Sequence, residues 1–93
     1  MEINKGFILK EMTGSDGNKY SIIIAVGEAQ QKIKGYLTLN GTATFLLNNL
    51  KSAKDESELT QKLALEYNID ETLARKDVIA FLENLKKLGV INV

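Results

Sequence analysis

Hydrophobic residues in the first part of the chain are concentrated in three short stretches that predict β-strands. Residues 7–12 form a short apolar-rich stretch, and residues 20–26 have the β-branched density that favours a strand over a helix. Turn-forming residues occupy positions 13–18 and predict a hairpin loop between these two strands. A third strand is predicted over residues 33–39, because the apolar residues there share one parity and the more polar residues share the other.

The second part of the chain has the spacing of amphipathic helices. Asn40 is a favourable N-cap for a first helix over residues 42–50, and Ser57 is predicted to cap a second helix that ends near Tyr67. Apolar residues in both stretches recur at three- and four-residue intervals, which places them on one buried face. The charged residues 51–56 are predicted to be the loop between the two helices.

A third helix, the longest, is predicted after a tight connection. Asp70 is its expected N-cap, and the helix runs to about Leu88, where Gly89 follows at the position of a helix-ending glycine. Residues 90–93 are a short apolar tail, predicted to be a last strand or a flap over the core. The apolar stripe of this helix comprises Ala74, Val78, Phe81, Leu82, Leu85 and Leu88.

This order of elements predicts an α+β fold. The architecture expected is winged-helix-like, with a three-stranded antiparallel sheet followed by three helices, the last two of which form a helix-turn-helix. A chain of 93 residues is long enough for one core and leaves little room for a deep active-site cleft. We therefore expect residues 1–93 to form a single domain.

The composition excludes several kinds of chemistry. There is no Cys, so disulfides, zinc–thiolate sites and thiol nucleophiles are excluded. There is no His either, which removes the commonest general base and the commonest transition-metal ligand. We therefore expect a protein that is not an enzyme on its own, with no catalytic residue, no metal and no cofactor.

The charge balance bears on the partners and the compartment. Lys and Arg number 12, as do Asp and Glu, whereas nucleic-acid-binding domains usually carry a basic excess. No apolar run approaches the roughly 18–20 residues of a membrane span, and no apolar stretch of a signal peptide follows Met1. We expect a cytoplasmic protein that binds neither nucleic acid nor membrane.

The helix-turn-helix nevertheless keeps one alternative open, a winged-helix transcriptional regulator that binds DNA. A recognition helix places its first residues against the bases. Here Arg75 and Lys76 stand among Asp70, Glu71 and Asp77, and this mixed charge is a poor match to phosphates. A protein–protein adaptor of the same fold is a third alternative.

Three segments together resemble one known family. They are residues 39–43 with the Phe45-Leu46-Leu47 run that follows, the helix and turn at 58–70, and residues 74–91. The last has the order Arg75, Asp77, Val78, Phe81, Leu82, Leu85, Gly89 and then apolar residues. In order and spacing these segments are similar to the PqqD family over nearly the whole chain. Gly41 and Leu47 depart from it, since many members have an acidic and an aromatic residue there.

The resemblance implies a function in peptide binding. PqqD-like domains are recognition elements for ribosomally made peptides that are later modified. They hold the leader of a precursor peptide and present its core to a modifying enzyme, often a radical SAM protein. The leader joins the edge of the sheet as an extra strand and packs against the third helix, which is β-augmentation.

The resemblance places the expected site on the third strand and on the outer face of the third helix. Arg75, Ile79 and Lys86 are expected to border the groove, and Arg75 to anchor an acidic leader side chain. The sequence leaves open which flank of the third helix faces the third strand. Asp77 is expected to have a structural role. The exposed edge also allows a homodimer through the sheet. The predicted peptide-binding residues are Ile33, Lys34, Gly35, Tyr36, Leu37, Thr38, Leu39, Arg75, Lys76, Ile79, Leu82, Glu83 and Lys86.

Overall fold

The fold consists of a three-stranded sheet and three helices. A computed structural model describes residues 1–31, 33 and 35–91. Three antiparallel strands precede three helices, which confirms the predicted α+β fold class. The elements are β1 (Phe7–Thr13), β2 (Lys19–Ala25), a 3-10 helix (Gly27–Gln31), β3 (Tyr36–Leu39), α1 (Gly41–Leu50), α2 (Glu56–Tyr67) and α3 (Glu71–Lys87).

The sheet has β2 at its centre and β1 and β3 at its edges. Ile23 of β2 pairs with Leu9 on one side and with Leu37 on the other, so these three side chains share one face. The helices cover this face at β2, whose residues with the parity of Ile23 are buried, whereas Leu9 of β1 remains 40% exposed. The opposite parity gives the outer face, where Ile22 lies between Lys10 and Thr38.

The core lies between the inner face of the sheet and the three helices. Each helix contributes a buried stripe, as its apolar spacing predicts. A buried hydrogen bond of 2.8 Å, from the Ser21 hydroxyl to the Thr44 hydroxyl, also joins β2 to α1. The largest fully buried apolar side chains are Ile23, Leu46, Leu50, Leu59, Leu63, Val78, Leu85, Val90 and Ile91.

Two of the three predicted helix caps are confirmed. The Asn40 side chain accepts a hydrogen bond of 2.9 Å from the backbone N–H of Ala43, and Asp70 caps α3 in the same manner. The prediction that Ser57 caps α2 is wrong. Asp55 does so, since its extended backbone lets its carboxylate accept from the N–H of Glu58 at 2.9 Å.

The third strand is shorter than predicted, because it begins at Tyr36 and not at Ile33. Ile33 instead follows the 3-10 helix, donates its backbone N–H to the carbonyl of Ala29, and is buried in the core. Gly35 then adopts a φ of +87°, which breaks the extended backbone just before the strand. Lys34 lies outside the described residues.

The end of α3 is closed by the glycine predicted there. Gly89 has a φ of +76°, and its N–H reaches the carbonyl of Lys86, while the N–H of Val90 reaches that of Leu85. This pair of bonds is a Schellman motif, and Val90 and Leu85 are both buried beside it. Of the predicted last strand, the described part contains one bridge, Ile91 to Ile3, and Asn92 and Val93 lie outside the described residues.

Replacing this glycine is expected to destabilise the protein. Gly89→Ala should lower the free energy of unfolding by roughly 1–2 kcal/mol, because Ala disfavours a left-handed backbone. Gly41→Ala is the matched control, since Gly41 begins α1 and an added Cβ would lie 3.4 Å from the Lys19 carbonyl oxygen. That change should stay within about 0.5 kcal/mol in urea unfolding. An equal loss in both variants would contradict the special role of the Gly89 backbone.

Candidate functional site

The first feature of the candidate site is the free edge of β3. This strand pairs with β2 on one side, and among the described residues nothing pairs with its other side. An edge of this kind presents N–H and C=O groups that can accept another strand. Tyr36 and Thr38 project from the outer face and are exposed, whereas Leu37 and Leu39 point toward the core.

A pocket of about 290 Å³ lies where β3 gives way to α1. Its walls come from the start of α1 and from the middle of α3, and Asn40, which directly follows β3, also lines it. The floor is apolar and the rim is polar. The lining residues are Asn40, Thr42, Ala43, Leu46, Asp77, Ala80 and Phe81.

The pocket identifies the flank of α3 that faces α1 and the end of β3. Asp77 and Ala80 line it, and successive residues of a helix are rotated by about 100°. By that rotation Arg75, Ile79 and Lys86 lie on the opposite flank of the buried stripe. The structure therefore places Asp77 and Ala80 at this pocket, whereas Arg75, Ile79 and Lys86 do not line it.

Asp77 has an available carboxylate at this pocket. It is exposed, and no hydrogen bond or ion pair engages it within the part of the chain that the structure describes. The predicted structural role, in which Asp77 holds a neighbouring donor or basic residue, is therefore wrong. A free carboxylate above an apolar floor can instead accept a hydrogen bond from a bound partner.

Comparison with known proteins gives the family. The family model described as coenzyme PQQ synthesis protein D, PqqD, matches residues 22–91, which is more than half of the chain. The chain belongs to the PqqD family. The matched range contains β3, α1 and α3, and thus every residue that lines the pocket. A comparison with curated proteins found no matching relative.

A solved structure has the same fold as this PqqD-family chain. It is TbiB1 in complex with the TbiA(beta) leader peptide, which superposes with a TM-score of 0.69. The superposition covers 97% of this chain and 93% of that chain, at 18% sequence identity. At this identity the match supports the arrangement of strands and helices.

The predicted site residues before and within β3 fall into two groups. Tyr36, Leu37, Thr38 and Leu39 form β3, so the structure places all four on the free-edge strand. Ile33 and Gly35 precede the strand and are not part of its edge, and Ile33 is buried. The alternation in the sequence could not show that the strand begins at Tyr36, because Ile33 has the same parity as the residues of β3 that point toward the core.

The predicted residues of α3 are also divided. Leu82 is 5% exposed and packs in the core, so little of its side chain is available at the surface, and its contact with a peptide stays a prediction. Arg75, Ile79 and Lys86 are exposed on the flank of α3 away from the pocket, and Lys76 and Glu83 are exposed on the solvent side of the helix and do not line the pocket. The sequence had one indication of the flank that lines the pocket, namely a carboxylate at Asp77 next to the apolar stripe.

The departures from the PqqD pattern lie at the edges of this site. Gly41 is the exposed first residue of α1, and Leu47 is buried in the same helix. Neither lines the small pocket, so these differences leave its floor and rim unchanged.

The described residues offer little support for other kinds of site. Among residues 1–31, 33 and 35–91, no group of three His, Cys, Asp or Glu side chains could hold a metal ion. Within the same ranges, no helix is long and apolar enough to cross a bilayer. At the start of α3, Asp70 accepts from the N–H of Thr72, and Glu71 is exposed beside it, so carboxylates lie where DNA phosphates would approach.

Proposed function

We propose that this PqqD-family protein binds the leader of a ribosomally made precursor peptide and presents it to a modifying enzyme. The observation that carries the proposal is the free edge of β3 beside the pocket that Asp77 and Phe81 line on α3. Two further findings support the proposal. The chain belongs to the PqqD family, and it shares its fold with TbiB1, whose structure contains a leader peptide.

Binding by strand addition explains how a small surface holds a flexible peptide. The backbone of the leader would pair with the free N–H and C=O groups of Tyr36–Leu39, which gives affinity with little dependence on sequence. Selectivity would come from side chains of the leader that reach the apolar floor at Leu46 and Phe81 and the carboxylate of Asp77.

The protein would act as a peptide chaperone without catalysis of its own. Residues 1–93 form one recognition domain in this proposal, and the chemistry belongs to a partner, a radical SAM or other peptide-modifying enzyme. Because its substrate is a freshly made ribosomal peptide, we place the protein in the cytoplasm. A homodimer through β3 would compete with the leader for the same edge.

The decisive experiment is an NMR titration of the ¹⁵N-labelled protein. Short peptides from a precursor encoded next to it are the ligand, and a DNA duplex is the control. We expect peptide-induced shifts at Tyr36–Leu39 and around Asp77 and Phe81. No response to peptide, together with shifts at residues 71–76 on adding duplex, would replace the proposal with the DNA-binding alternative.

One pair of substitutions tests which flank of α3 meets the leader. Asp77→Asn removes the free carboxylate at the pocket and should weaken leader binding about three- to fivefold, the scale of one partly exposed charged hydrogen bond. Glu83→Gln removes an exposed carboxylate of the same helix that does not line the pocket, and it should leave the affinity unchanged. If isothermal titration calorimetry shows a larger loss of affinity for Glu83→Gln than for Asp77→Asn, the leader binds instead on the flank of Arg75 and Ile79.

A further inference from the structure

The outer face of the sheet, which points away from the helices, carries a row of apolar side chains. Ile8 of β1 pairs with Ile24 of β2, and Ile24 pairs with Tyr36 of β3, so these three side chains stand side by side. We call them the outer row. None of the three belongs to the hydrophobic core, which lies on the opposite face of the sheet. The outer row therefore runs across the whole sheet and ends at the free edge of β3.

The exposure of the outer row rises toward the two edges of the sheet. Ile24 is partly buried between its two neighbours, whereas Ile8 is 51% exposed and Tyr36 is 65% exposed. Tyr36 has a cross-strand neighbour on one side only, because within the described part of the chain nothing pairs with the other side of β3. Among the large hydrophobic side chains of the three strands, that of Tyr36 is the most exposed.

The outer face of the sheet carries little charge. Of the residues of β1, β2 and β3 that point to this face, only Lys10 is charged. Lys10 stands in the neighbouring row, where it pairs with Ile22, and Ile22 pairs with Thr38. No carboxylate of the strands points outward, so a Lys or Arg side chain placed beside Tyr36 would find no ion-pair partner on the sheet.

A strand added to β3 would extend each row of the outer face by one residue. Successive residues of a strand point to opposite faces, so alternate side chains of a bound leader would point outward. One of these outward side chains would stand beside Tyr36 and the next beside Thr38. Side chains placed in this manner on adjacent strands have Cβ atoms about 4.5–5.5 Å apart, which is close enough for direct contact.

We propose that Tyr36 is a specificity-determining residue, which selects leaders that place an apolar side chain beside its ring on the outer face. The inference rests on the proposed function, because its occupant is a leader strand paired with β3. An apolar side chain at this position would cover the exposed ring and continue the row of Ile8 and Ile24. A charged side chain there would lose water without gaining a partner of opposite charge on β3.

The first step of the test identifies the leader residue beside Tyr36. An isotope-filtered NOESY spectrum of the ¹³C,¹⁵N-labelled protein, with an unlabelled leader from the neighbouring precursor, detects contacts between the Tyr36 ring and the peptide. We expect contacts to one apolar side chain. Contacts of the ring to a charged side chain, or a bound leader without any contact to the ring, would overturn the inference.

A double-mutant cycle then measures the contact with Tyr36. The leader residue beside Tyr36 is changed to Val, Ala or Lys in three synthetic leaders, and their affinities are measured by calorimetry. The Val leader should bind about two- to fivefold more tightly than the Ala leader, the upper range for a cross-strand pair, and the Lys leader no more tightly than the Ala leader. In Tyr36→Ala the preference for Val should fall to about half or less. A Lys leader that binds as tightly as the Val leader would overturn the inference, as would a preference for Val that Tyr36→Ala keeps in full.

Ile8→Ala is the matched control for the cycle. Ile8 stands in the same row, but β2 and β3 separate β1 from an added strand, a distance of about 14 Å, so this variant should keep the full preference for Val. Equal losses of preference in Ile8→Ala and Tyr36→Ala would overturn direct selection by Tyr36. If the three leaders bind the unchanged protein with one affinity, the inference fails and leader capture stands. If none of them binds, leader capture itself fails, and the inference fails with it.

Discussion

Tyr36→Pro is expected to weaken leader binding at least about tenfold while the protein remains folded. Proline has no N–H, and its ring obstructs the close approach of a neighbouring strand. Tyr36 is the first residue of β3 and 65% of its surface is exposed, which is a position where a strand tolerates proline. A hydrogen bond lost together with a steric clash should exceed 1.4 kcal/mol, which corresponds to about tenfold in affinity.

The control for this experiment is Tyr36→Ala. It removes the same exposed side chain but keeps the backbone donor, so it separates the loss of the ring from the loss of the N–H. We expect Tyr36→Ala to bind the leader within a few-fold of the unchanged protein, as measured by fluorescence anisotropy of a labelled peptide. A folded Tyr36→Pro variant with unchanged affinity would rule out strand addition at this edge.

Leu63→Ala is expected to cause the largest loss of stability among the changes considered, about 2–5 kcal/mol. Leu63 is fully buried on α2, where the helix packs against α3. Truncation removes apolar surface from the core and leaves a cavity that the surrounding side chains fill only in part. Because small domains have little stability in reserve, a fraction of the molecules should unfold without denaturant.

Leu65→Ala provides a matched comparison. The two leucines are two positions apart in the same helix, yet Leu63 is 0% exposed and Leu65 is 83% exposed. The chemical change is identical, and so is its effect on helix propensity, so the difference between the variants reports burial alone. Leu65→Ala should change the urea-derived free energy of unfolding by less than about 0.5 kcal/mol. Similar losses in both variants would mean that α2 is packed in a different rotation.

Local patterns were sufficient for most of the secondary structure. The strands, the helices and the caps at Asn40 and Asp70 follow from residues close to one another in the chain, as does the glycine that ends α3. Two predictions from short-range patterns are wrong, namely the residue that caps α2 and the residue at which β3 begins. Both Asp55 and Ser57 can cap a helix, and sequence preference does not rank them when they stand two positions apart.

The length of β3 shows where local alternation misleads. Ile33 has the parity of the strand and is buried, but it is buried after a 3-10 helix and not within the sheet. A hydrophobic residue in the sequence indicates burial, but it does not indicate the backbone conformation of the buried residue. The left-handed Gly35 separates Ile33 from the strand, and glycine adopts such a φ as readily as an extended one.

The candidate site depended more heavily on the tertiary structure. From the sequence, the resemblance to the PqqD family predicted a site on the third strand and the third helix, and the structure shows that Tyr36, Leu37, Thr38 and Leu39 form β3. Both flanks of α3 carry polar and apolar residues, so periodicity alone could not choose between them. The start of α1 and the Asp77 flank of α3 come together at the pocket only in the folded protein.

By itself, the sequence determined the α+β class, the order of the elements, the family and the exclusion of cysteine and histidine chemistry, because these follow from composition and from neighbours along the chain. Only the tertiary structure decided that Asp77 lines the pocket, that Leu82 lies in the core, and that Glu11 and Glu66 line the same concavity. Such pairings join residues that are distant in sequence, and they are set by how helices and strands pack, which no local pattern specifies.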